Sequence, residues 1–157
     1  ASCLVGSEMC IRDSNNRIQG HFGLKKSKQT CVRTRRKGEA FMKVQNIVNI
    51  LKAEILAEGD LQEEVKTACG SDMMSDVLAF VKDQSVLLTG LVNPQVVRTA
   101  EMMDMHCIIF VRGKRPDETV LSLARQKDIT ILATPYRMFT ACGLLYENGL
   151  EGGCDVS

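Results

Sequence analysis

Nine residues, Val86-Leu87-Leu88-Thr89-Gly90-Leu91-Val92-Asn93-Pro94, hold a β-rich apolar run, a Thr-Gly break and the opening of a helix. Asn before Pro is a strong helix-opening pair: the Asn side chain accepts from a free N–H of the first turn, and Pro has no N–H to lose. A strand that passes through a short joint into a helix is half of a βαβ unit, so the chain should return as a second, parallel strand. Cys107-Ile108-Ile109-Phe110-Val111 supplies it. The run has no polar break, which fits a strand covered on both faces.

The same alternation extends in both directions. Upstream, Val44, Ile47, Val48, Ile50 and Leu51 form the apolar face of a helix that Lys52 can close, followed by a strand at Ala53–Leu56 and a turn at Glu58-Gly59-Asp60. Val65–Cys69 reads as one short strand, and Ser71 or Asp72 as the N-cap of a helix Met73–Val81 whose Met74, Val77, Leu78 and Val81 share a face. Asp83-Gln84 then turns the chain into the strand Ser85–Thr89. Beyond it, a helix from Pro94 to about Met105 points Val96, Val97, Ala100 and Met103 inward. Downstream of Val111 come a basic joint, Arg112-Gly113-Lys114-Arg115-Pro116, and a helix near Asp117–Lys127 with acidic residues in its first turn. A strand at Thr130–Ala133, a Thr134-Pro135 break and a helix from Tyr136 to Tyr146, stopped by Asn148-Gly149, complete the series. The expected fold is a small three-layer α/β/α domain on a mainly parallel sheet of four to five strands. It occupies residues 42–150, a size that folds alone, with a loose polar tail at 151–157.

Charge divides the chain at the start of this pattern. Residues 1–41 carry nine Lys/Arg against three Asp/Glu, a net of +6, and the remainder carries eleven against sixteen, a net of −5. Residues 1–41 also lack a sustained apolar period, so their composition predicts disorder. A basic arm for nucleic acid is one reading. A second outweighs it, because Cys3-Leu4-Val5-Gly6-Ser7-Glu8-Met9-Cys10-Ile11-Arg12-Asp13 resembles the peptide obtained when a sequencing-adapter oligonucleotide is translated. On that resemblance 1–41 is a non-native leader, Met42 is the natural start, and nucleic acid is not an expected partner. No apolar run approaches the ~20 residues of a membrane span, and a cytoplasmic protein is expected.

Motifs for catalysis are scarce. Cys69, Cys107, Cys142 and Cys154 have no C-x-x-C or comparable ligand spacing, and buried reduced thiols are the expectation for them. His106 is the only histidine after Met42. Gly20-His21-Phe22-Gly23-Leu24-Lys25-Lys26-Ser27 has the wrong glycine spacing for a P-loop, and no G-x-G-x-x-G follows a strand. Asp72 and Asp76, four apart on one helix face, could bind a metal or share a proton, but a cap at Asp72 with Asp76 in solvent is the simpler reading. No catalytic residue, metal or cofactor is assigned.

Position offers more. In open parallel sheets, ligands gather outside the carboxyl ends of the strands, beside helix N-termini. Asp72, Thr89, Gly90, Asn93 and Thr134 lie at such ends and could converge on a small ligand. Arg112 and Lys114 are possible anion contacts in what otherwise reads as a solvated loop.

Several of these segments carry a family resemblance. Gly70-Ser71-Asp72-x-x-Ser75-Asp76, the Leu88-Thr89 strand end with Asn93, Gly113-x-x-Pro116-Asp117, and above all Thr134-Pro135-Tyr136-x-x-Phe139-Thr140-Ala141 resemble the DRTGG domain family over Met42–Leu150. The Asp-Arg-Thr-Gly-Gly string itself is absent, so no role tied to it carries over. The resemblance implies an α/β domain similar to the N-terminal domain of HPr kinase/phosphorylase, found alone or attached to CBS-pair pyrophosphatases and phosphotransacetylases. There it serves as a regulatory or dimerising module without established catalytic residues. The resulting expectation is a stand-alone, non-enzymatic regulatory module that binds a small anionic or nucleotide-like ligand and self-associates as a dimer. The alternative is a purely structural interaction domain. A metal-dependent enzyme using Asp72 and Asp76 ranks last.

Overall fold

The computed structural model describes residues 41–81 and 85–152. The expected leader, Phe41 excepted, lies outside the described residues, as do the Asp83-Gln84 turn and residues 153–157. The elements are β1 (Met42–Lys43), α1 (Val44–Leu51), β2 (Glu54–Ala57), β3 (Glu64–Val65), β4 (Thr67–Gly70), α2 (Met74–Phe80), β5 (Ser85–Thr89), α3 (Pro94–Met102), β6 (Cys107–Phe110), α4 (Glu118–Gln126), β7 (Thr130–Ala133), α5 (Met138–Glu147) and β8 (Glu151–Gly152).

The main sheet has six strands in the order β2-β7-β6-β5-β4-β8. Every neighbouring pair is parallel except β2 with β7, so the expected mainly parallel α/β/α domain is present, with β8 added at one edge. A separate antiparallel pair joins β1 to β3. That pair explains why Val65–Cys69 is not one strand: the chain ends β3, the partner of β1, at Val65 and enters the main sheet at Thr67.

Side chains alternate across the sheet with the two-residue period of a strand. Leu87, Ile108, Phe110 and Ile131 pack with Val77, Val96, Val97, Ala100, Val120 and Ala124 of α2, α3 and α4. Val86, Leu88, Ile109 and Leu132 point the other way, onto Ile47 and Leu51 of α1 and Ala141 and Leu145 of α5. All four residues of β6 and all four of β7 are buried, as an apolar run between two helical layers requires.

Local signals set three of the helix ends. Asn93 Oδ1 accepts from Val96 N–H at 3.3 Å, with Pro94 following, and Asp117 Oδ1 does the same for Val120 N–H at 3.1 Å. Lys52 closes α1 in the left-handed region, at φ 46°. α2 departs from expectation. It begins after Met73, which is extended and offers no side-chain cap, so neither Ser71 nor Asp72 is its N-cap. Among the described residues, no helix is long and apolar enough to cross a membrane.

Candidate functional site

The carboxyl ends of β4, β5 and β6 lie side by side because those strands are consecutive neighbours in the sheet. Asp72, just past β4, turns its carboxylate toward β5 and away from α2. Its Oδ1 accepts from Gly90 N–H at 2.5 Å and from the Thr89 hydroxyl at 3.1 Å, while Oδ2 faces Arg112 Nη2 at 3.7 Å. Thr89 Oγ1 also accepts from Leu91 N–H at 3.1 Å. Asp72 and Asp76 therefore do not share a helix face: Asp72 precedes α2, and its carboxylate belongs to the strand ends. Among the described residues, no three His, Cys, Asp or Glu side chains converge as a metal site.

The basic joint is pinned at each cation. Arg112 pairs with Asp72, Lys114 Nζ donates to Gly90 O, and Arg115 Nη2 binds Glu54 Oε2 on β2. Its backbone is fixed as well. Arg112 N–H donates to Tyr136 O and Gly113 N–H to Thr134 O, both at 2.8 Å. Arg112 and Gly113 both lie in the left-handed region, at φ 64° and 63°. A left-handed arginine is uncommon and persists where its surroundings over-determine it. The guanidinium packs so closely over Gly90 that a Cβ there would stand 2.0 Å from Arg112 Nη2. Sequence order gave no sign of these tertiary ties: Arg112 and Lys114 are exposed, as a solvated loop predicts, and each is also tied to a partner at the strand ends.

An open cleft of about 650 Å³ adjoins the cluster on the α5 side of the sheet. Its lining comes from three segments: Gly70–Asp72 after β4, Val111 and Arg112 after β6, and Arg137–Phe139 at the start of α5. Arg137 is the N-cap residue of α5, and no side chain caps that helix. Its first-turn N–H groups join Arg112 and Arg137 in giving the cleft a positive character. Sequence reading missed Arg137; the helix start after Thr134-Pro135 was the available signal.

The other expected site residues are engaged elsewhere. Asn93 caps α3 and does not line the cleft. Thr134 is fully buried. Its hydroxyl donates to Leu51 O, at the end of α1, at 2.8 Å and accepts from Tyr136 N–H at 3.3 Å. Thr134→Val keeps the shape and leaves the Leu51 carbonyl without this donor, so unfolding stability measured in urea should fall by about 1–3 kcal/mol. An unchanged midpoint would show that the bond contributes nothing. His106 and Cys107 lie at the opposite, amino-terminal end of β6. Burial pushes the Cys107 thiol up to about 12, which leaves it inert as a nucleophile.

The Asp72 carboxyl is held below its usual value, chiefly because the carboxylate accepts the Gly90 N–H. Partial burial opposes this, and the Thr89 hydroxyl, Arg112 and Lys114 reinforce it. A depressed folded-state pKa contributes stability that is present above the unfolded value near 3.9 and is lost as pH falls through the folded value. The stability difference between wild type and Asp72→Asn should therefore be constant above about pH 5 and shrink below about pH 4. Denaturation curves of both proteins at pH 7 and pH 3 measure it. A difference that does not shrink at all between pH 7 and pH 3 would mean that Asp72 ionisation is not the source.

A three-layer α/β domain with a basic cleft at its parallel-strand ends is the class defined by this geometry. The chain matches the DRTGG domain family over residues 46–147 and belongs to it. Among solved structures, it is similar to the CBS and DRTGG domains of the regulatory region of Clostridium perfringens pyrophosphatase, a crystal structure complexed with the activator diadenosine tetraphosphate. Identity is 20% and the TM-score 0.58, over 66% of this chain and 45% of that one. The present chain thus spans less than half the length of that protein, and the likeness is one of fold. No curated protein sequence matches the chain.

Proposed function

We propose that this DRTGG domain is a regulatory, non-catalytic module that binds a small anionic, nucleotide-like ligand in the cleft between β4 and α5. The observation that carries this reading is the pair of arginines, Arg112 and Arg137, that line one open cleft. Arg112 is held over Gly90, and Arg137 makes no ion pair among the described residues. The nucleotide activator bound by the structurally similar pyrophosphatase regulatory region supports a phosphate-bearing ligand. Titration calorimetry of the full chain with ATP, ADP and inorganic phosphate tests the proposal. Binding should weaken on the order of ten-fold in Arg137→Ala, the loss of one charge-assisted contact. Saturable binding that ignores both Arg112→Ala and Arg137→Ala would place the ligand elsewhere.

A structural role in self-association is the second reading, favoured by Phe139 and Tyr146. These side chains stand two turns apart on α5 and are 90% and 70% exposed. Aromatic anchors of this kind are typical of interface centres. A concentration-dependent dimer in light scattering that dissociates in Phe139→Asp, together with no ligand binding, would favour this reading over the first.

A further inference from the structure

Asp72 stands where an anion would bind. One backbone N–H (Gly90), one hydroxyl (Thr89) and one guanidinium (Arg112) converge on its two carboxylate oxygens, with Lys114 anchored beside them on Gly90 O. That is the donor set proteins present to phosphoryl groups. The carboxylate is not needed to start α2, which has no side-chain cap. Its side chain is 53% exposed on the cleft wall, whereas Thr89 and Gly90 are buried and do not themselves line the cleft. Asp72, together with the Arg112 guanidinium packed over Gly90, stands between the cleft and these two donors.

We infer that Asp72 is an internal occupant of a phosphoryl-binding subsite, displaced when a phosphate-bearing ligand takes over Gly90 N–H, the Thr89 hydroxyl and Arg112. The inference rests on the reading of the cleft as an anion site and adds the ligand's head group and a built-in competitor. A carboxylate ligand brings nothing that Asp72 does not already supply intramolecularly, at an effective concentration free acetate does not match. A phosphoryl dianion brings a second charge and a further acceptor oxygen for Arg137, which lines the same cleft. The site thus discriminates phosphoryl groups from carboxylates and sets a threshold for occupancy. The turn Ser71–Met73, released with Asp72, is the segment that reports it.

Calorimetry with inorganic phosphate and with acetate, at neutral pH and fixed ionic strength, tests this on the full chain as wild type, Asp72→Asn and Asp72→Ala. If the internal carboxylate occupies the subsite about nine-tenths of the time, Asp72→Ala should bind phosphate on the order of ten-fold more tightly and should bind acetate as well. Asp72→Asn can still accept from Gly90 N–H through its amide oxygen, so it should gain less; it also serves as the variant least liable to misfold. Removing a negative charge near Arg112 could by itself favour any anion, and two readouts separate that effect. Phosphate should shift the Gly90 amide resonance, and adding Thr89→Val to Asp72→Ala should reverse most of the gain. Phosphate affinity that is unchanged, lower or absent in both Asp72 variants overturns the inference. So does a gain that survives Thr89→Val with the Gly90 amide unmoved. The wider reading fails separately: if Arg137→Ala leaves phosphate binding by Asp72→Ala intact while Thr89→Val abolishes it, the subsite stands and the two-arginine cleft does not.

Discussion

Phe110→Ala should destabilise the domain by about 3–5 kcal/mol, the usual cost of truncating a buried phenyl group. Phe110 is completely buried at the end of β6, between β5 and β7 and beneath the α2–α3–α4 layer. Domains of this size hold about 5–15 kcal/mol in total, so one substitution removes a large share and can leave the chain partly unfolded at physiological temperature. Phe139→Ala is the matched control. It deletes the same group from a side chain that is almost wholly exposed, and its effect should stay within about 0.5 kcal/mol. Urea denaturation of the two variants beside wild type gives both values. Similar losses in both would mean that Phe139 is covered in solution, which would favour self-association through α5.

Gly90→Ala should separate binding from folding. The new Cβ would stand 2.0 Å from Arg112 Nη2 and 3.0 Å from its Cζ, so the guanidinium has to leave its seat. The colliding atoms are the far end of a flexible side chain, and Gly90 lies outside the positive-φ region, so the backbone accommodates alanine. Thermal stability should change by no more than about 1 kcal/mol, the scale of a surface ion pair lost. Phosphate affinity, by contrast, should drop on the order of ten-fold or more, because Arg112 no longer faces the cleft in a fixed pose. Calorimetry and thermal denaturation of the same sample decide it: wild-type affinity in Gly90→Ala would show that the seating of Arg112 over Gly90 has no part in binding.

The elements legible in the sequence are those whose signals are local. Asn93-Pro94 and Asp117 mark helix starts by chemistry complete within four residues, and the apolar runs of β6 and β7 announce burial on both faces. What could not be read depends on strand order. Asp72 has the chemistry of a cap, but β5 lies alongside β4 and offers it a better donor in Gly90 N–H, so the tertiary bond displaces the local one. Thr134 occupies a strand end as expected, yet α1 packs against that end and draws its hydroxyl into the core. The basic joint carries three cations in four residues, and their partners, Asp72, Gly90 and Glu54, are scattered along the chain. Arg137 sits between a Pro-containing break and a helix, and only the cleft shows which way that helix faces.

The strand order also has a kinetic consequence. From β4 to β7, every strand lies beside its neighbour in the chain, so each new pairing closes only a short loop. The two outer pairings are different: β2 meets β7 through Glu54 and Ala133, and β4 meets β8 through Thr67 and Glu151, each closing most of the domain into one loop. Loop-closure entropy rises with the length enclosed, which makes these the costliest contacts to form early. The inner four strands can therefore assemble first, and the edges should be the first to open. Amide exchange should be slowest along β5 and β6 and fastest along β2 and β8.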